Sequence, residues 1–481
     1  MSLSTSYAYR LLLIFGLLLL EFSAEASHIV GAEITYAPYP ATPVNPRRYL
    51  VTAKLYRDNS GNTTVDFEQT VALYARLNAC SPTDPTNVTF QLNRVSKTNT
   101  GYVRCAGGPG IEAQLYTADI TLPSSGNWTL SIAEANRTFG ILNLSNSGNY
   151  SLYADAELTI DPASVTPNTS PVFTSSLLPY ICGNQFHRFS FSAYDANGDS
   201  LVYRMITPQG TSNSDFCPQT IPVVPTPHFT IDPARGELST VPFTLTAGFY
   251  IMAARVEEYR RIGGNWRKIG SVMRDIMYPV SGGTGNRNPS FTSALVGTTT
   301  QPVTQILRVV PGQTLTIQLA ATDQDAGQVL RFSTEATTVP GVSFRGISAT
   351  QAQLTWQVPN NLPLGRYSIP VVVQDNGCPF NGSESQTLNF LVTTQVLAVT
   401  SSGPSNLAAS FPNPFHDQVQ FQLPRSQSQQ ILVTDQVGRT VAHLTSRADG
   451  TVVWQPAGSV KPGIYLARTT DGSYSVRLVH Y

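Results

Sequence analysis

The chain has 481 residues, room for about three or four domains, and its 30 Lys+Arg cancel its 30 Asp+Glu. With no net charge there is no electrostatic case for nucleic acid or an anionic membrane surface as partner. Charged residues make up 12%, about half the usual ~25%, while hydrophobic residues at 41% suffice for folded cores and exclude a disordered chain. The 34 Pro, the 35 Gly and the many β-branched and aromatic residues favour strands and turns over helices.

Residues 1–26 have the layout of a secretory signal peptide. Arg10 is the positive flank, Leu11 to Leu20 the apolar core, and Ala24-Glu25-Ala26 a small-x-small cleavage site that leaves Ser27 first in the mature chain. The alternative is a membrane anchor, but the apolar core reaches only about half of the ~20 residues a span needs. No later run approaches that length, so no transmembrane span is expected in the mature chain. The chain is therefore expected to be exported and soluble, or attached only after export.

Export permits disulfides. Cys80 and Cys105 fall in one expected domain and Cys182 and Cys217 in the next, so pairing within each is the simplest arrangement. Cys378 is left over. No Cys-x-x-Cys occurs, which gives no support to a zinc ribbon or a redox motif.

Between residues 27 and 163 the chain alternates apolar and polar residues in short runs, beginning Ser27 to Tyr36 and Tyr49 to Tyr56. Such period-two runs predict an antiparallel sandwich. Ser27-His-Ile-Val-Gly31-x-Glu33-Ile34-x-Tyr36, then Lys54-Leu-Tyr-Arg-Asp58-x-Ser60-Gly61, resembles the opening of gliding-motility-associated surface proteins of Bacteroidetes. This chain has Ala32 where many members have Gly and Asn59 where many have Cys. The resemblance implies a compartment rather than a chemistry.

Two segments, 164–284 and 285–395, repeat one another. Ser170-Pro-Val-Phe-Thr-Ser175 matches Asn288-Pro-Ser-Phe-Thr-Ser293, each is followed by an acidic turn, and each later has a Gly-x-Tyr step at Gly248–Tyr250 or Gly365–Tyr367. Repeats of this size with short strands predict two immunoglobulin- or cadherin-like sandwiches. In the first turn Asp195, Asn197 and Asp199 can aim their oxygens inward and supply part of a calcium shell of six to eight oxygens. The second turn keeps only Asp323 and Asp325, because Gly327 breaks the series. The plainer alternative is that these side chains accept backbone hydrogen bonds in tight turns. The first turn resembles the Asp-x-Asp-Gly-Asp turns of cadherin-like bacterial modules, which implies calcium.

The segment Tyr250–Val280 reads as a hairpin turning at Gly263-Gly264-Asn265, with nine charged residues from Arg255 to Asp275. Opposite charges facing one another across the strands are the structural reading. A surface for an anionic polysaccharide is the functional one.

Residues 396–409 lose periodicity and read as a linker. From 410 to 481, short strands between turns such as Asp449-Gly450 and Asp471-Gly472 predict a small β-sandwich. Phe411-Pro-Asn-Pro-Phe415, Asp435-x-x-Gly438-Arg439-x-Val441, Trp454 and Gly463-Ile-Tyr465 stand in the order seen in C-terminal sorting domains of the type IX (Por) secretion system, and this tail resembles them over its full length. Such tails often end on a lysine-rich strand, whereas this one ends with Arg477, His480 and Tyr481. The resemblance implies the type IX machinery as a partner, followed by release or surface attachment.

No Gly-x-Ser-x-Gly elbow, His-Glu-x-x-His or phosphate-binding glycine loop occurs. Cys182 and His187 are close in sequence, but Cys182 has an expected disulfide partner. Adjacent Glu257 and Glu258 should point to opposite faces of a strand, unlike a converging glycosidase pair. The expectation is an all-β, non-catalytic surface or secreted protein, adhesin- or matrix-like, that binds a polysaccharide or protein. The alternative is a secreted hydrolase or a carbohydrate-binding accessory to one.

Overall fold

The computed structural model describes residues 29–481 except 40–46, 59–65, 79, 82, 101–109, 136, 162–166, 176–177, 212–216, 226–227, 242–243, 245, 284, 335–337, 378–380, 395–409, 424–427, 437 and 472–473. The signal peptide with its Ala26/Ser27 junction, Cys105, Cys378 and the 396–409 linker lie outside the described residues. Among those described, the only helix is the single turn Ser147–Asn149, and all other regular structure is strand. The protein is all-β. It divides into two compact units at residue 396.

The first sheet contains β1 (Ile29–Pro38), β2 (Arg48–Asp58), β3 (Thr70–Leu77), β4 (Val88–Thr100), β5 (Ile111–Thr121), β6 (Gly126–Glu134) and β7 (Leu152–Ile160), in the spatial order β1-β2-β5-β4-β3-β6-β7. Their alternation shows in β2, where Tyr49, Val51, Ala53 and Leu55 are buried and the residues between them are half-exposed. The sheet then closes on itself through a long hairpin, Gly248–Ile262 and Asn265–Ser281. One edge of the returning strand pairs with both ends of the sheet. Glu33↔Arg274 and Gly31↔Ile276 join it to β1, and Gly270↔Leu158 and Val272↔Ala156 join it to β7. Closure covers edges that would otherwise be free to pair with other chains.

This closure corrects the expected boundary at residue 163. One hydrophobic core runs from Ile29 to Val280, so 27–163 and 164–284 are not separate sandwiches. The cause lies in the returning strand, whose residues Ile269–Val280 are all buried. A strand covered on both faces needs neighbours on both sides, which the 164–284 segment alone does not supply. Arg274 and Asp275 tolerate that burial because distant segments bring counter-charges. Arg137 forks onto Asp275 at 2.9 and 2.7 Å, and Arg274 pairs with Glu33 with its guanidinium 4.2 Å from the Phe173 ring centre.

The opposite charges expected to meet across the hairpin do so, among the described residues, at one pair only. Arg260 stands opposite Arg267, Arg255 opposite Met273 and Glu257 opposite Ser271. Lys268 reaches Glu257 across the hairpin at 3.7 Å, and the other ion pairs run outward, from Arg255 to Asp155, Lys268 to Glu157, Arg204 to Glu257 and Arg260 to Asp199.

The expected disulfides are corrected too. Cys80 is bonded to Cys217, 137 positions away, and Cys182 is a free, buried thiol. Because both expected domains share one core, nearness in sequence did not indicate the partner.

A second core, Phe291 to Val392, lies between a five-stranded and a four-stranded sheet. It is joined to the first core by Arg188 to Glu384 (2.6 Å), Tyr180 to the Asn381 carbonyl (2.6 Å) and Thr387 to Ser190 (3.0 Å). The unit from Leu397 onward has its own core, with Phe415, Phe421, Trp454 and Leu478, between a three- and a four-stranded sheet. The three Gly-x-Tyr steps share one device. The hydroxyls of Tyr250, Tyr367 and Tyr465 donate to the carbonyls of Thr246, Pro363 and Lys461, each four residues back, at 3.0, 2.8 and 2.5 Å. This is the bond of a tyrosine corner, which fixes the entry of a sandwich strand.

Candidate functional site: a buried acidic cluster

The acidic turn Asp195–Asp199 lies where the first core meets the second. Gly198, at φ +76°, packs flat against the next module. A Cβ there would meet Pro363 at 2.9 Å and the Leu364 carbonyl at 3.0 Å. Asp195 organises the turn: its Oδ1 accepts the backbone N–H groups of Asn197 and Asp199, both at 2.9 Å. This is the hydrogen-bonded Asx turn, the plainer of the two readings of the sequence.

The fold then redistributes the expected calcium ligands. The Asn197 amide oxygen accepts the Thr169 N–H at 2.8 Å. Asp199 receives both arms of the Arg260 guanidinium, at 2.8 and 2.5 Å. The third member of the cluster is Glu258, from the hairpin. Carboxylate oxygens of Asp195, Asp199 and Glu258 lie within 4.8 Å of one another, and all three residues are buried. Asn168 ties the cluster together, donating to Glu258 at 2.6 Å and to the Tyr36 hydroxyl at 3.2 Å while accepting from Arg260 at 2.8 Å. It is placed by Ser170, whose N–H donates to the Tyr36 carbonyl and whose hydroxyl accepts the Tyr36 N–H, both at 2.9 Å.

Two atoms remain over. Asp195 Oδ2 and Glu258 Oε1 are buried with no hydrogen-bond partner. Burial, reinforced by the Asp195 carboxylate, holds the Glu258 carboxyl well above its ordinary range, and burial raises Asp195 as well. Two unmatched carboxylate oxygens suit a single positive charge, either a proton shared between them or a cation whose shell water completes. A calcium ion would draw fewer oxygens from this chain than the six to eight it takes. Arg260 already neutralises Asp199.

The second turn repeats the Asx bond and likewise leaves Asp323 Oδ2 buried without a partner, but among the described residues it gathers no cluster of three acids. Asp323 Oδ1 accepts the Asp325 N–H at 2.8 Å, and Asp325 accepts the Arg287 N–H at 2.6 Å. Asp323 and Asp325 are not part of the three-carboxylate cluster.

Sequence reading missed Glu258, Asn168, Tyr36 and Gly270. Glu257 and Glu258 do point to opposite faces, as expected, with Glu257 on Arg204 and Glu258 fully buried. What the sequence did not show was which acids the buried one would meet. Gly270, directly opposite Glu258, leaves the space its side chain occupies.

His187 does not engage the Cys182 thiol. Its Nε2 lies 3.2 Å from the Cys182 backbone, and burial lowers its pKa to about 4. A cleft of about 640 Å³ at the same junction is lined by Phe186, Arg188, Arg287 and several amides. Two of those amides, Gln185 and Asn288, are spent on joining the lining segments to one another.

No family model matches the chain. No curated protein matches it either. Among solved structures, it is similar to the human desmocollin-1 ectodomain at 12% identity, covering 92% of this chain and 79% of that one, TM-score 0.18. It is similar to Drosophila N-cadherin EC1-4 at 14% identity, covering 88% and 96%, TM-score 0.17. It is also similar to an endo-fucoidan hydrolase of glycoside hydrolase family 107 at 13% identity, covering 63% and 39%, TM-score 0.16. Likenesses this distant assign neither partner nor activity.

Proposed function

We propose that this is an exported, non-catalytic binding protein whose β-modules hold contact loops in fixed positions, adhesin- or matrix-like in its action. The observation that carries the reading is the junction between the first two cores. The Asp195–Asp199 turn, held by Arg260 and Asn168, seats Gly198 against Gly365 so closely that neither position has room for a side chain. The bonds Arg188–Glu384 and Thr387–Ser190 brace the same joint. A braced joint suits a protein that presents surfaces at set spacing.

The Cys80–Cys217 disulfide supports an oxidising destination. No helix among the described residues is long and apolar enough to cross a membrane. On this proposal residues 410–481, a unit with its own core, serve as a type IX sorting domain and are removed after export. Calcium belongs to the proposal as a competitor of the proton between Asp195 and Glu258.

A glycan and protein array with the mature chain, run alongside a broad hydrolase screen, tests this. Saturable binding without product formation is expected. Product formation lost on a single substitution would replace the reading with the hydrolase one.

A further inference from the structure

The tip of the long hairpin combines features that the packing of the fold does not use. Gly263 and Gly264, at φ of 59° and 85°, make the two-residue turn. Arg261 stands opposite Trp266 and Tyr259 opposite Lys268. Residues opposite one another in an antiparallel pair share a face. One face of the tip therefore carries Trp266, Arg261, Tyr259 and Lys268, and the other carries Arg260 and Arg267.

Trp266 is 62% exposed. Arg260 is neutralised by Asp199, and Lys268 by Glu157. Arg261 and Arg267 are not: among the described residues no carboxylate pairs with either, and the one bond Arg261 makes is Nε to the Gly264 carbonyl at 3.1 Å. In a chain with 12% charged residues, one spare guanidinium, Arg261, shares the face of the exposed indole, and the other, Arg267, lies beside it in sequence on the opposite face. The base of the hairpin is pinned by Arg137–Asp275 and Arg274–Glu33, so this group is presented on a supported arm. Beside it a cleft of about 100 Å³ is lined by Tyr49, Asn168, Arg260, Arg267 and Lys268, with one carboxylate, Asp161.

We propose that this tip is a docking surface for an acidic polysaccharide. The proposal rests on the binding reading above and names its ligand class. A guanidinium forks onto a carboxylate or a sulfate with two parallel hydrogen bonds. A flat, exposed indole offers its face to the C–H groups of a sugar ring. Two spare cations beside an apolar ring suit a sugar polymer gripped at one or two of its anionic groups. Nucleic acid, with a phosphate at every step, calls for a broad basic face, which the tip lacks.

The test is affinity electrophoresis of the mature full chain in native gels holding polygalacturonate, dextran sulfate or plain dextran, with a labelled single-stranded oligonucleotide as a competing partner. Retardation by polygalacturonate or dextran sulfate and none by dextran is expected, and the two acidic gels separate carboxylate from sulfate recognition. Trp266→Ala, and the pair Arg261→Gln with Arg267→Gln, should each weaken binding by about tenfold or more, as anchors of an interface do. All three side chains are exposed, so an unchanged melting temperature confirms that the variants fold. The proposal is overturned by no retardation in either acidic gel, by variants that bind like wild type, or by tighter binding to the oligonucleotide. Array binding that ignores the tip variants would refute this surface and leave the binding function standing, whereas turnover of an array ligand would refute the function itself.

Discussion

Gly270 stands directly across the long hairpin from Glu258, and a Cβ at Gly270 would lie 2.6 Å from the Tyr36 hydroxyl and 2.7 Å from the Glu258 carboxylate. The glycine is required by space. Gly270→Ala should force the cluster apart and cost about 1–3 kcal/mol, the usual range for overpacking. Urea denaturation measures it. Stability equal to wild type would show that the cluster has room to spare.

The cluster also fixes the sign of a pH dependence. The Glu258 carboxyl is raised well above its ordinary value of 4.5. Above pH 4.5 the unfolded chain has given up this proton while the folded chain keeps it, so stability falls as pH rises until the folded carboxyl titrates. In chelator-treated protein, Glu258→Gln should flatten that decline, because its amide can donate to Asp195 at any pH. Millimolar calcium should raise the melting temperature of wild type more at pH 8 than at pH 5, as the cation replaces the proton, and should leave Glu258→Gln unmoved. A calcium effect that is absent at pH 8 would remove the metal from the account.

The disulfide offers a covalent test of the merged core. A non-reduced peptide map should link Cys80 to Cys217, and Cys182 should react with thiol reagents only after unfolding. Chain entropy for a loop of 137 residues sets a ceiling of about 5 kcal/mol on the loss in Cys80→Ser with Cys217→Ser. A map linking Cys182 to Cys217 would restore the separate module that the closed sheet excludes.

On the proposed export route, deleting residues 410–481 should trap the chain in the periplasm. Because the tail has its own core, the remainder should melt as the intact chain does. Undiminished export of the truncated chain would refute the sorting role, and a melting temperature that collapses would show that the units are not independent.

Local features were legible in the sequence. Alternation marked β1 and β2, the Gly-x-Tyr steps marked the repeat, and Asp195 marked a turn. Partners far apart in sequence were not. Glu33 and Arg274 are 241 positions apart, and Arg137 and Asp275 are 138 apart. A buried charge can be recognised as needing a partner, but the sequence does not say which segment supplies it. The same gap hid the closure of the first sheet and placed Cys217 with the wrong cysteine. Glu258 looked like half of a charged pair because periodicity separates it from Glu257 without revealing the acids on its own side.

The most direct measurement follows binding and chemistry on one sample: the mature chain is incubated with each polymer it retains, and bound protein and newly formed reducing ends are quantified together. Saturable binding with no rise in reducing ends is the predicted result. Reducing ends that accumulate with time and disappear in Glu258→Gln or Asp195→Asn would contradict it, because the buried cluster would then be a reaction centre rather than a joint.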